Sequence, residues 1–436
     1  MLNVLANQVN VSLNLTYIEL SMEIYLVGGA VRDKLLNRPV TENDWVVIGE
    51  TPDSMIRQGF RAVGKDFPVF LHPKSQEEYA LARTERKISH GYTGFTIHTS
   101  PDVSLEEDLI RRDLTINAMA LSTDGHLIDP YGGQKDLAQR IFRHVSPAFC
   151  EDPVRILRVA RFAARYAHLG FTLAAETLAL MQEMVSSGET DYLVPERVWA
   201  ELFKALNETA PAAFFDTLKA CGALARIFPE LDALFGIPQP PQYHPEIDTG
   251  VHTLMSLEQA ALLSDRPDVR FAALVHDLGK AVSPKENLPH HYDHEINGLP
   301  ILEEMCQRLR VPNAFKILAQ HVMRYHTHCH QALQLRASTL TDTLAALGAF
   351  KPRHTLEAFL LACEADAKGR RGFEYSAYPQ ADIFRLAAQA AIAIDTSEVL
   401  NGELQGAQIG EALRQLRIKA IADVLRVYKS VQIDRY

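Results

Sequence analysis

Two acidic residues, Glu42 and Asp44, follow a Gly28-Gly29 pair near the start of the chain. On an extended segment, residues two apart point to the same face, so the two carboxylates can share a divalent metal ion. Neither glycine carries a Cβ, which lets backbone N–H groups approach an anion closely. Arg32 falls in the first turn of the helix predicted after the glycines and adds positive charge there. A metal beside a phosphate-binding turn indicates phosphoryl or nucleotidyl transfer.

A pair of acids by itself more often forms a solvated edge than a metal site. The Gly-Gly-x-x-Arg-Asp turn that precedes this pair reverses that preference. Glu78 begins a later predicted strand, 78–82, and can supply a third carboxylate. A plain charge on an edge strand explains Glu78 at least as well, and the sequence leaves that choice open.

A second charged group lies in segment 105–118, which has the character of a helix. Residues three to four apart on a helix share a face, so Arg112, Asp113 and Asn117 are predicted to cluster. In that arrangement Asp113 holds an arginine in place and Asn117 ties down the backbone. A surface salt-bridge cluster is the alternative, and it is favoured when the segment is considered alone.

Four arginines recur at spacings of three, three and four along a predicted helix: Arg155, Arg158, Arg161 and Arg165. Such a stripe is more often a solvated helix face. This one contains only arginine, whose rigid fork suits phosphates and base edges, and Asp152 lies one turn before it. We therefore interpret it as a helix that binds a triphosphate and reads a base.

Histidines become dense in the second half of the chain. His252 lies on a predicted helix, 24 residues before the adjacent pair His276-Asp277. An imidazole and a carboxylate at a helix end can bind one metal ion, with more distant ligands completing the shell. A lone histidine is usually a core or surface residue, but this combination is more specific. The weaker ligand predictions are His294, His326 and Asp366, whereas His328 and His330 are predicted to be solvated.

Composition narrows the class of protein. The chain has 436 residues, enough for about three domains, and its 47% hydrophobic and 22% charged shares are those of a soluble globular protein. A net charge of −10 excludes binding of nucleic acid by bulk positive charge, so any RNA contact must use local basic patches. The five cysteines include no Cys-x-x-Cys pair, which favours buried thiols in a reducing cytoplasm.

The element pattern predicts an α+β fold. Short apolar strands mix with helices over residues 22–147, and the remainder reads as helical. Residues 1–21 contain no Lys or Arg and are predicted to be a dispensable extension or an added edge strand. The proline-rich segment 238–242 is the clearest linker, and no apolar run is long enough to span a membrane.

Four motifs occur in an order that resembles a known family: Leu26–Asp33, Asp44–Gly49, Arg111–Ala118 and Glu151–Arg158. The chain is similar to bacterial CCA-adding tRNA nucleotidyltransferases, in the class that also contains bacterial poly(A) polymerases. The His276-Asp277 region resembles the HD phosphohydrolase domain attached to one branch of that family. The resemblance implies a nucleotidyltransferase head at 22–147, a nucleotide- and tRNA-binding neck at 148–235, an HD domain at 244–350 and a helical C-terminal region at 351–436.

The resemblance also implies roles for individual residues of the head and neck. Glu42 and Asp44 match the two acids that hold catalytic Mg²⁺, which activates the tRNA 3′-hydroxyl. The residues that match phosphate and triphosphate contacts are Gly29, Arg32, Arg112, Arg158 and Arg161. Asp152 and Arg155 match the pair that reads the Watson–Crick edge of incoming C or A. CTP, ATP and tRNA are thus the expected partners, with no DNA and no membrane.

For the HD region the resemblance implies metal-dependent hydrolysis of 2′,3′-cyclic phosphates, 2′-nucleotides and phosphomonoesters. His252, His276 and Asp277 match its metal-binding core, which would take a divalent transition metal such as Ni²⁺. A cytoplasmic monomer or homodimer is expected.

One departure and two alternatives accompany the resemblance. Glu42 stands where the family usually has Asp, and Mg²⁺ demands near-octahedral geometry, but the longer side chain can still reach. The first alternative is a poly(A) polymerase or an enzyme that adds only CC or only A. The acidic balance and the HD domain argue against the polymerase. The second is an HD phosphohydrolase with a degenerate RNA-binding head, against which Asp44, Arg112 and Arg155 weigh.

Overall fold

This computed structural model describes residues 22–63, 69–87, 95–352, 355–400, 402 and 404–433. The predicted extension at 1–21 lies outside the described residues. The described residues form two compact units, the first taken from 22–63, 69–87, 95–137 and 144–148, and the second from 138–143 and the described residues of 149–433. Each unit is built around its own core. Among the described residues, no helix combines the length and apolarity needed to cross a membrane.

The first unit contains nine strands and four helices among its described residues. The strands are β1 (Glu23–Val27), β2 (Asp44–Ile48), β3 (Arg61–Ala62), β4 (Val69–Leu71), β5 (Glu78–Leu81), β6 (Thr84–Lys87), β7 (Phe95–His98), β8 (Ala120–Ser122) and β9 (Leu127–Ile128). The helices are α1 (Gly29–Leu35), α2 (Pro52–Arg57), α3 (Leu105–Ile110) and α4 (Gly133–Gln139). A 3₁₀ turn covers Thr115–Asn117.

Seven of these strands form one mixed sheet in the order β3-β4-β5-β2-β1-β8-β9, and β6 pairs with β7 separately. Strand β2 is antiparallel to β1 and parallel to β5. Its two central valines point to opposite faces, with Val46 in one buried cluster and Val47 in another. A strand covered on both faces reads as a continuous apolar run, which is why 45–48 does not alternate.

The prediction of one helix over 105–118 is wrong beyond its first part. Helix α3 begins with a capping box between Ser104 and Glu107 and ends at Ile110. The Asp113 carboxylate accepts a hydrogen bond from the Leu114 backbone N–H at 2.8 Å. Such local bonding competes with helix continuation, so the chain turns before Thr115.

Where it is described, the second unit contains helices and one small parallel pair of strands, β10 (Ile141–Phe142) with β11 (Thr172–Leu173). That pair departs from the expectation of helix throughout 148–235. The helices of the neck region are α5 (Val154–Tyr166), α6 (Ala175–Ser186), α7 (Pro195–Leu206), α8 (Ala212–Ala220), α9 (Ala223–Ile227) and α10 (Pro229–Asp232). Short 3₁₀ turns occur at Pro147–Glu151, Ala167–Leu169, Glu189–Tyr192, Leu278–Val282 and Lys285–Asn287.

The remaining helices are α11 (Thr249–Leu263), α12 (Pro267–Val275), α13 (His294–Leu309), α14 (Asn313–His330), α15 (Ala337–Ala346), α16 (Leu356–Lys368), α17 (Gln380–Ile392), α18 (Ser397–Leu400) and α19 (Ala407–Ile433). Helix α11 packs against α12 and α16, and α14 packs against α12, α13 and α16. These five helices bring the predicted metal ligands together.

The proline-rich segment 238–242 is not a free linker, contrary to the prediction. Gln239 is 1% exposed, and its side-chain oxygen accepts a hydrogen bond from Lys280 Nζ at 2.6 Å. The backbone oxygen of Pro238 contacts the His291 ring. The prolines restrict the backbone of this segment, which packs beside the histidine-rich region.

Candidate active sites

The glycine turn in the first unit brings a cation and an acid close to the start of α1. Gly28 caps that helix with φ of +68°, a backbone conformation that favours glycine. A Cβ at Gly28 would lie 3.0 Å from Arg112 Nη1 and 3.9 Å from Asp44 Oδ2. The missing side chain thus leaves room between the turn, a guanidinium and a carboxylate, as the phosphate-binding prediction requires.

The acids of the first unit lie at one end of the sheet. Asp44 begins β2 and stands in register with Val27 on one side and with Glu78 on the other. Laterally paired residues face the same side of a sheet, so Asp44 and Glu78 share a face. Glu42 lies two residues before the strand, and all three acids are exposed. Carboxylate oxygens of this kind suit a hard cation such as Mg²⁺.

Arg32 was predicted to contact phosphate, but its guanidinium is buried in this structure. It is bonded to both Asp33 carboxylate oxygens at 3.0 Å and to Asn117 Oδ1 at 2.6 Å. A Cβ on Gly29 would touch Arg32 Nη2 at 3.4 Å. Arg32 therefore packs against the glycine turn and connects it to Asn117. Its direct contact with phosphate stays a prediction.

Arg112 is held by an acid that the sequence analysis did not single out. Asp108 is fully buried, and its two oxygens accept hydrogen bonds from Arg111 at 2.6 Å and Arg112 at 3.0 Å. Burial opposes the charge of this carboxylate, but the two guanidiniums outweigh it and lower the pKa of Asp108. The signal was present in the i,i+4 spacing of Asp108 and Arg112.

Asp113 and Asn117 contact each other as predicted. Asn117 Nδ2 donates to Asp113 Oδ1 at 2.8 Å, and the Asn117 oxygen accepts from Arg32. Asn117 thus connects the segment after α3 to the glycine turn. This contact spans 85 residues of sequence, so no local pattern reveals it.

In the neck, the predicted base-reading acid is bound by an arginine from another helix. Arg197 on α7 forms a two-point ion pair with Asp152, with N–O distances of 3.1 and 2.7 Å. That geometry fixes the plane of the Asp152 carboxylate. Arg155, one turn on, is buried, and Arg158 is half-buried. The sequence patterns predicted no role for Arg197, although it orients the predicted base-reading acid.

Arg161 contributes to packing between two neck helices. Its Nε donates to Glu201 Oε2 at 2.6 Å, and both side chains are nearly buried. Glu201 lies four residues after Arg197 on α7, so from one face of α7 Glu201 contacts Arg161 on α5, and Arg197 contacts Asp152 just before α5. The triphosphate contact predicted for Arg161 therefore competes with an ion pair that already satisfies this guanidinium.

All six predicted ligands of the histidine-rich region lie together in the second unit, each at most 9% exposed. His252 lies near the start of α11, where Asp248 caps the helix. His276 and Asp277 follow α12, His294 begins α13, His326 is on α14 and Asp366 is on α16. A Cβ on Gly279 would overlap the His294 carbonyl group, so this glycine permits the close approach of α13.

The ligand atoms form overlapping groups that share Asp277. On one side, Asp277 Oδ2 lies 3.1 Å from His276 Nε2 and 3.7 Å from His252 Nε2. Asp366 Oδ1 is 3.0 Å from His252 Nε2.

On the other side, Asp277 Oδ1 lies 3.5 Å from His294 Nε2 and 3.7 Å from His326 Nε2. Both groups have the atom types and mutual spacing needed to hold a metal ion.

Each of the four imidazoles is oriented by a contact at its other ring nitrogen. His276 Nδ1 faces the Ala273 carbonyl at 2.7 Å, His294 Nδ1 faces that of His291 at 2.9 Å, and His326 Nδ1 faces that of Val322 at 3.1 Å. His252 Nδ1 lies 3.0 Å from the Gly369 carbonyl and 3.2 Å from Glu246. These contacts assign a proton to Nδ1 and aim each Nε2 at the group, where a metal ion can take the place of any proton on Nε2.

The centre also carries buried atoms that need a partner. His276 Nε2 and both Asp277 oxygens make no hydrogen bond among the described residues, although Lys280 Nζ forms an ion-pair contact with Asp277 Oδ2 at 2.6 Å. Burial opposes charging of His276, but the negative charges of Asp277 and Asp366 outweigh it and raise its pKa to about 10, so the site favours a positive charge at Nε2, which a metal ion would supply in place of the proton. Buried imidazole nitrogen and carboxylate oxygen atoms of this kind are ligands that suit a bound transition-metal cation.

The prediction that His330 is solvated is wrong. Its Nε2 lies 2.6 Å from Asp366 Oδ2, and its side chain is 28% exposed. The reason is the periodicity of the helix: a spacing of four residues places the rings of His326 and His330 on one face of α14. His328 instead contacts Thr343 at 2.9 Å, away from the ligands.

Three family models match the chain in the same order as the motifs. Residues 24–143 match the "Poly A polymerase head domain", 170–235 match the "Probable RNA and SrmB- binding site of polymerase A", and 249–364 match the "HD domain". The fold and sites therefore define a nucleotidyltransferase head followed by helical regions that include an HD domain. Asp366 joins the metal-ligand group although it lies beyond the matched HD range.

Relatives narrow this class. The chain is 63% identical to the multifunctional CCA protein of Methylococcus capsulatus, covering 92% of this chain and 94% of that one. It is 61% identical to the multifunctional CCA protein of Nitrosococcus oceani, covering 92% and 98%. The chain belongs to the multifunctional CCA protein family, which confirms the resemblance drawn from its motifs.

Solved structures agree in fold. A CCA-adding enzyme in complex with ATP superposes with a TM-score of 0.63 at 21% identity, covering 92% of this chain and 86% of that one. The Thermotoga maritima CCA-adding enzyme, complexed with tRNA, gives a TM-score of 0.61 at 20% identity, covering 94% and 92%. The α+β class predicted from the sequence, a mixed-sheet head followed by helical regions, is confirmed.

Proposed function

We propose that this chain adds C, C and A to the 3′ end of tRNA, using CTP and ATP and releasing pyrophosphate, without a nucleic-acid template. The observation that carries this proposal is the convergence of Arg112 and Asp44 on the space above Gly28. A phosphate cradle, a cation and a metal-binding acid are what nucleotidyl transfer needs at one point. Family membership supports the same substrates.

In the head, Asp44 and Glu42 hold Mg²⁺, with Glu78 as the third carboxylate on the same face. When bound, Mg²⁺ supplies charge that activates the attacking 3′-hydroxyl and steadies the α-phosphate. The protein itself provides orientation: Gly28-Gly29 offers backbone N–H groups, and Asp108 aims Arg112. Glu42 remains a ligand despite its extra methylene, because the acid lies in a flanking segment rather than in the strand.

In the neck, Asp152 and Arg155 read the Watson–Crick edge of the incoming base. A base edge is distinguished by its pattern of donors and acceptors, so the carboxylate must hold one orientation. Arg197 supplies that orientation through its two-point ion pair. Arg158 binds the triphosphate, and Arg161 does so only if the nucleotide displaces Glu201.

We further propose a phosphohydrolase at the HD site that acts on 2′,3′-cyclic phosphates, 2′-nucleotides and phosphomonoesters. His252, His276, Asp277 and Asp366 would hold a divalent ion, for which we propose Ni²⁺, and His294 and His326 lie close to the same Asp277 carboxylate. An ion held there would supply the Lewis-acid chemistry that phosphate hydrolysis needs. Lys280 places a positive charge beside Asp277 and can stabilise charge on the phosphate.

The proposal divides the chain into a head at 22–147, a neck at 148–235, an HD domain at 244–350 and a helical C-terminal region at 351–436. The enzyme works in the cytoplasm as a monomer or a homodimer, with tRNA, CTP and ATP as partners.

The test of CCA addition uses tRNA that lacks its 3′ CCA, incubated with Mg²⁺ and CTP alone, ATP alone, or both. We expect two C residues from CTP alone and a complete CCA from the mixture. A long A tail would indicate a poly(A) polymerase. Addition of only CC or only A would indicate a partial enzyme, and no addition would indicate a phosphohydrolase with an inactive head.

The HD activity is tested on a nucleoside 2′,3′-cyclic phosphate with the full chain. Chelator-treated protein should be inactive and should recover on addition of Ni²⁺. Hydrolysis that survives exhaustive chelation would overturn the metal-dependent assignment.

A further inference from the structure

The structure assigns to His330, together with Tyr378, the positioning of Asp366 as a ligand that offers one oxygen to the HD metal. This inference rests on the proposed metal-dependent function of that site. It concerns a histidine that contacts a ligand without being one. His330 and Tyr378 thereby decide which carboxylate oxygen faces the metal.

The ring of His330 is oriented differently from those of the four ligand histidines. In the ligands, Nδ1 faces a backbone carbonyl and Nε2 faces the shared centre. In His330, Nε2 faces Asp366 Oδ2 at 2.6 Å and Nδ1 faces the Tyr378 hydroxyl at 2.8 Å. Both ring nitrogens are thus engaged away from a metal.

The proton positions follow from the chemistry of the partners. A carboxylate only accepts hydrogen bonds, so Nε2–H of His330 donates to Asp366. Nδ1 is then an acceptor, and the Tyr378 O–H donates to it. Tyr378 therefore selects the tautomer in which His330 can hold the carboxylate.

The effect on Asp366 is to separate the roles of its two oxygens. Oδ2 is occupied by His330, whereas Oδ1 lies 3.0 Å from His252 Nε2 and 3.5 Å from His276 Nε2. Without His330 the carboxylate could rotate about its Cβ–Cγ bond and offer either oxygen or both. A fixed single oxygen leaves a coordination position for water or substrate.

Part of this arrangement lies outside the matched HD range of 249–364. His330 is the last residue of α14, and Tyr378 precedes α17. The C-terminal segment thus contributes both the ligand Asp366 and the residue that orients its holder.

The experiment uses the full-length protein, loaded with Co²⁺ after chelator treatment. The variants are His330→Leu, which removes the donor, His330→Gln, which can still donate at the Nε2 position, and Tyr378→Phe. His328→Leu is the matched control, because His328 lies on the same helix and contacts Thr343 instead. Readouts are Co²⁺ affinity by competition with a chromophoric chelator, the visible Co²⁺ spectrum, and CCA addition as a check of folding.

We expect His330→Leu to weaken Co²⁺ binding by about 10- to 100-fold and to change the visible spectrum, as loss of a residue that orients a metal ligand does. His330→Gln should recover most of the affinity, and Tyr378→Phe should lose about threefold to tenfold, because the tautomer is then unfixed. His328→Leu should match the wild type.

Unchanged affinity and spectrum in His330→Leu would overturn the positioning role while leaving the HD site in place. Equal losses in His330→Leu and His330→Gln would also overturn it, since the donor would then not matter. A wild-type protein that binds no Co²⁺ would overturn the proposed HD metal site and this inference together.

Discussion

The two metal-binding sites proposed for this chain differ in how far the protein has prepared them. In the head, Glu42, Asp44 and Glu78 are exposed at one end of a sheet. In the HD region, the six predicted ligands lie together and each is at most 9% exposed. In the head, Asp108 holds the cation Arg112 and the acids are exposed, whereas in the HD region each of the four predicted imidazole ligands has a further contact that orients it.

This difference follows from what each site has to admit. A nucleoside triphosphate brings its own charge and its own metal ion, so exposed acids at a sheet end need only meet them. Binding of a transition metal between buried histidines instead displaces protons from the rings, and it is favoured when contacts within the chain already fix the ring orientations. The head site is completed by its substrate. The HD site is organised by contacts of the chain with the ring nitrogens that face away from the metal group.

The largest effect is expected at the head acids. Glu42→Ala should reduce CCA addition by about 10³-fold or more, because a metal ligand that stabilises transition-state charge contributes several kcal/mol. Hydrolysis at the HD site should be unchanged. The measurement is single-turnover addition to tRNA lacking CCA, beside cyclic-phosphate hydrolysis by the same sample.

Glu42→Asp is the matched control, since it restores the acid usual in the family and should stay active. Wild-type-like addition by Glu42→Ala would refute the ligand assignment and leave Asp44 and Glu78 as the metal-binding acids.

The reciprocal change is Asp277→Asn, which removes the carboxylate that both HD ligand groups share. We expect hydrolysis to fall by about 10³-fold and CCA addition to continue, by the same argument from metal charge stabilisation. Metal content of the purified protein should fall in parallel. Simultaneous loss of CCA addition would contradict the view that the two sites work independently.

A third prediction concerns stability of the head. Asp108→Asn leaves two arginines without their buried acid, which should cost about 3–5 kcal/mol in the free energy of unfolding. Thermal and denaturant unfolding of the variant, beside the exposed control Asp102→Asn, measures this. A loss below about 1 kcal/mol would place Asp108 among surface salt bridges instead.

The same group predicts a pH dependence. The pKa of Asp108 is lowered in the folded protein from its ordinary value of 3.8. Its stabilising contribution is therefore complete above about pH 4–5 and is lost as the pH falls through the lower, folded pKa. Unfolding curves measured between pH 3 and pH 6 should show this loss in the wild type and a weaker dependence in Asp108→Asn.

The smallest effect is expected in the neck. Arg197→Met frees the Asp152 carboxylate to rotate, so discrimination of CTP and ATP against UTP and GTP should fall by about tenfold, roughly the value of one good bidentate contact. Ratios of kcat/KM for the four nucleotides provide the measurement. Glu196→Gln, a change at the exposed neighbouring residue, should leave those ratios unaltered.

If Arg197→Met slows all four nucleotides equally, Arg197 supports the helix α5 rather than the orientation of Asp152. The neck would then be more similar to the rigid HD site than to the exposed acids of the head.

Much of the chemistry was determined by local sequence. The Gly28-Gly29 turn, the strand that begins at Asp44 and the His276-Asp277 pair at the end of α12 depend on neighbouring residues, so their motifs were recognisable. The six predicted HD ligands could be selected from the sequence because few other residue types bind transition metals. The α+β class followed from the change in element pattern after residue 147.

Tertiary structure decided which partners these residues have. Arg32 lies beneath the turn because Asn117, 85 residues away, binds it, and Arg197 reaches Asp152 across 45 residues. His330 contacts Asp366 across 36 residues, so its spacing from His326 indicates a shared helix face but not the carboxylate that His330 meets. Local spacing determines which side chains share a face, but only the packing of distant segments determines what that face meets.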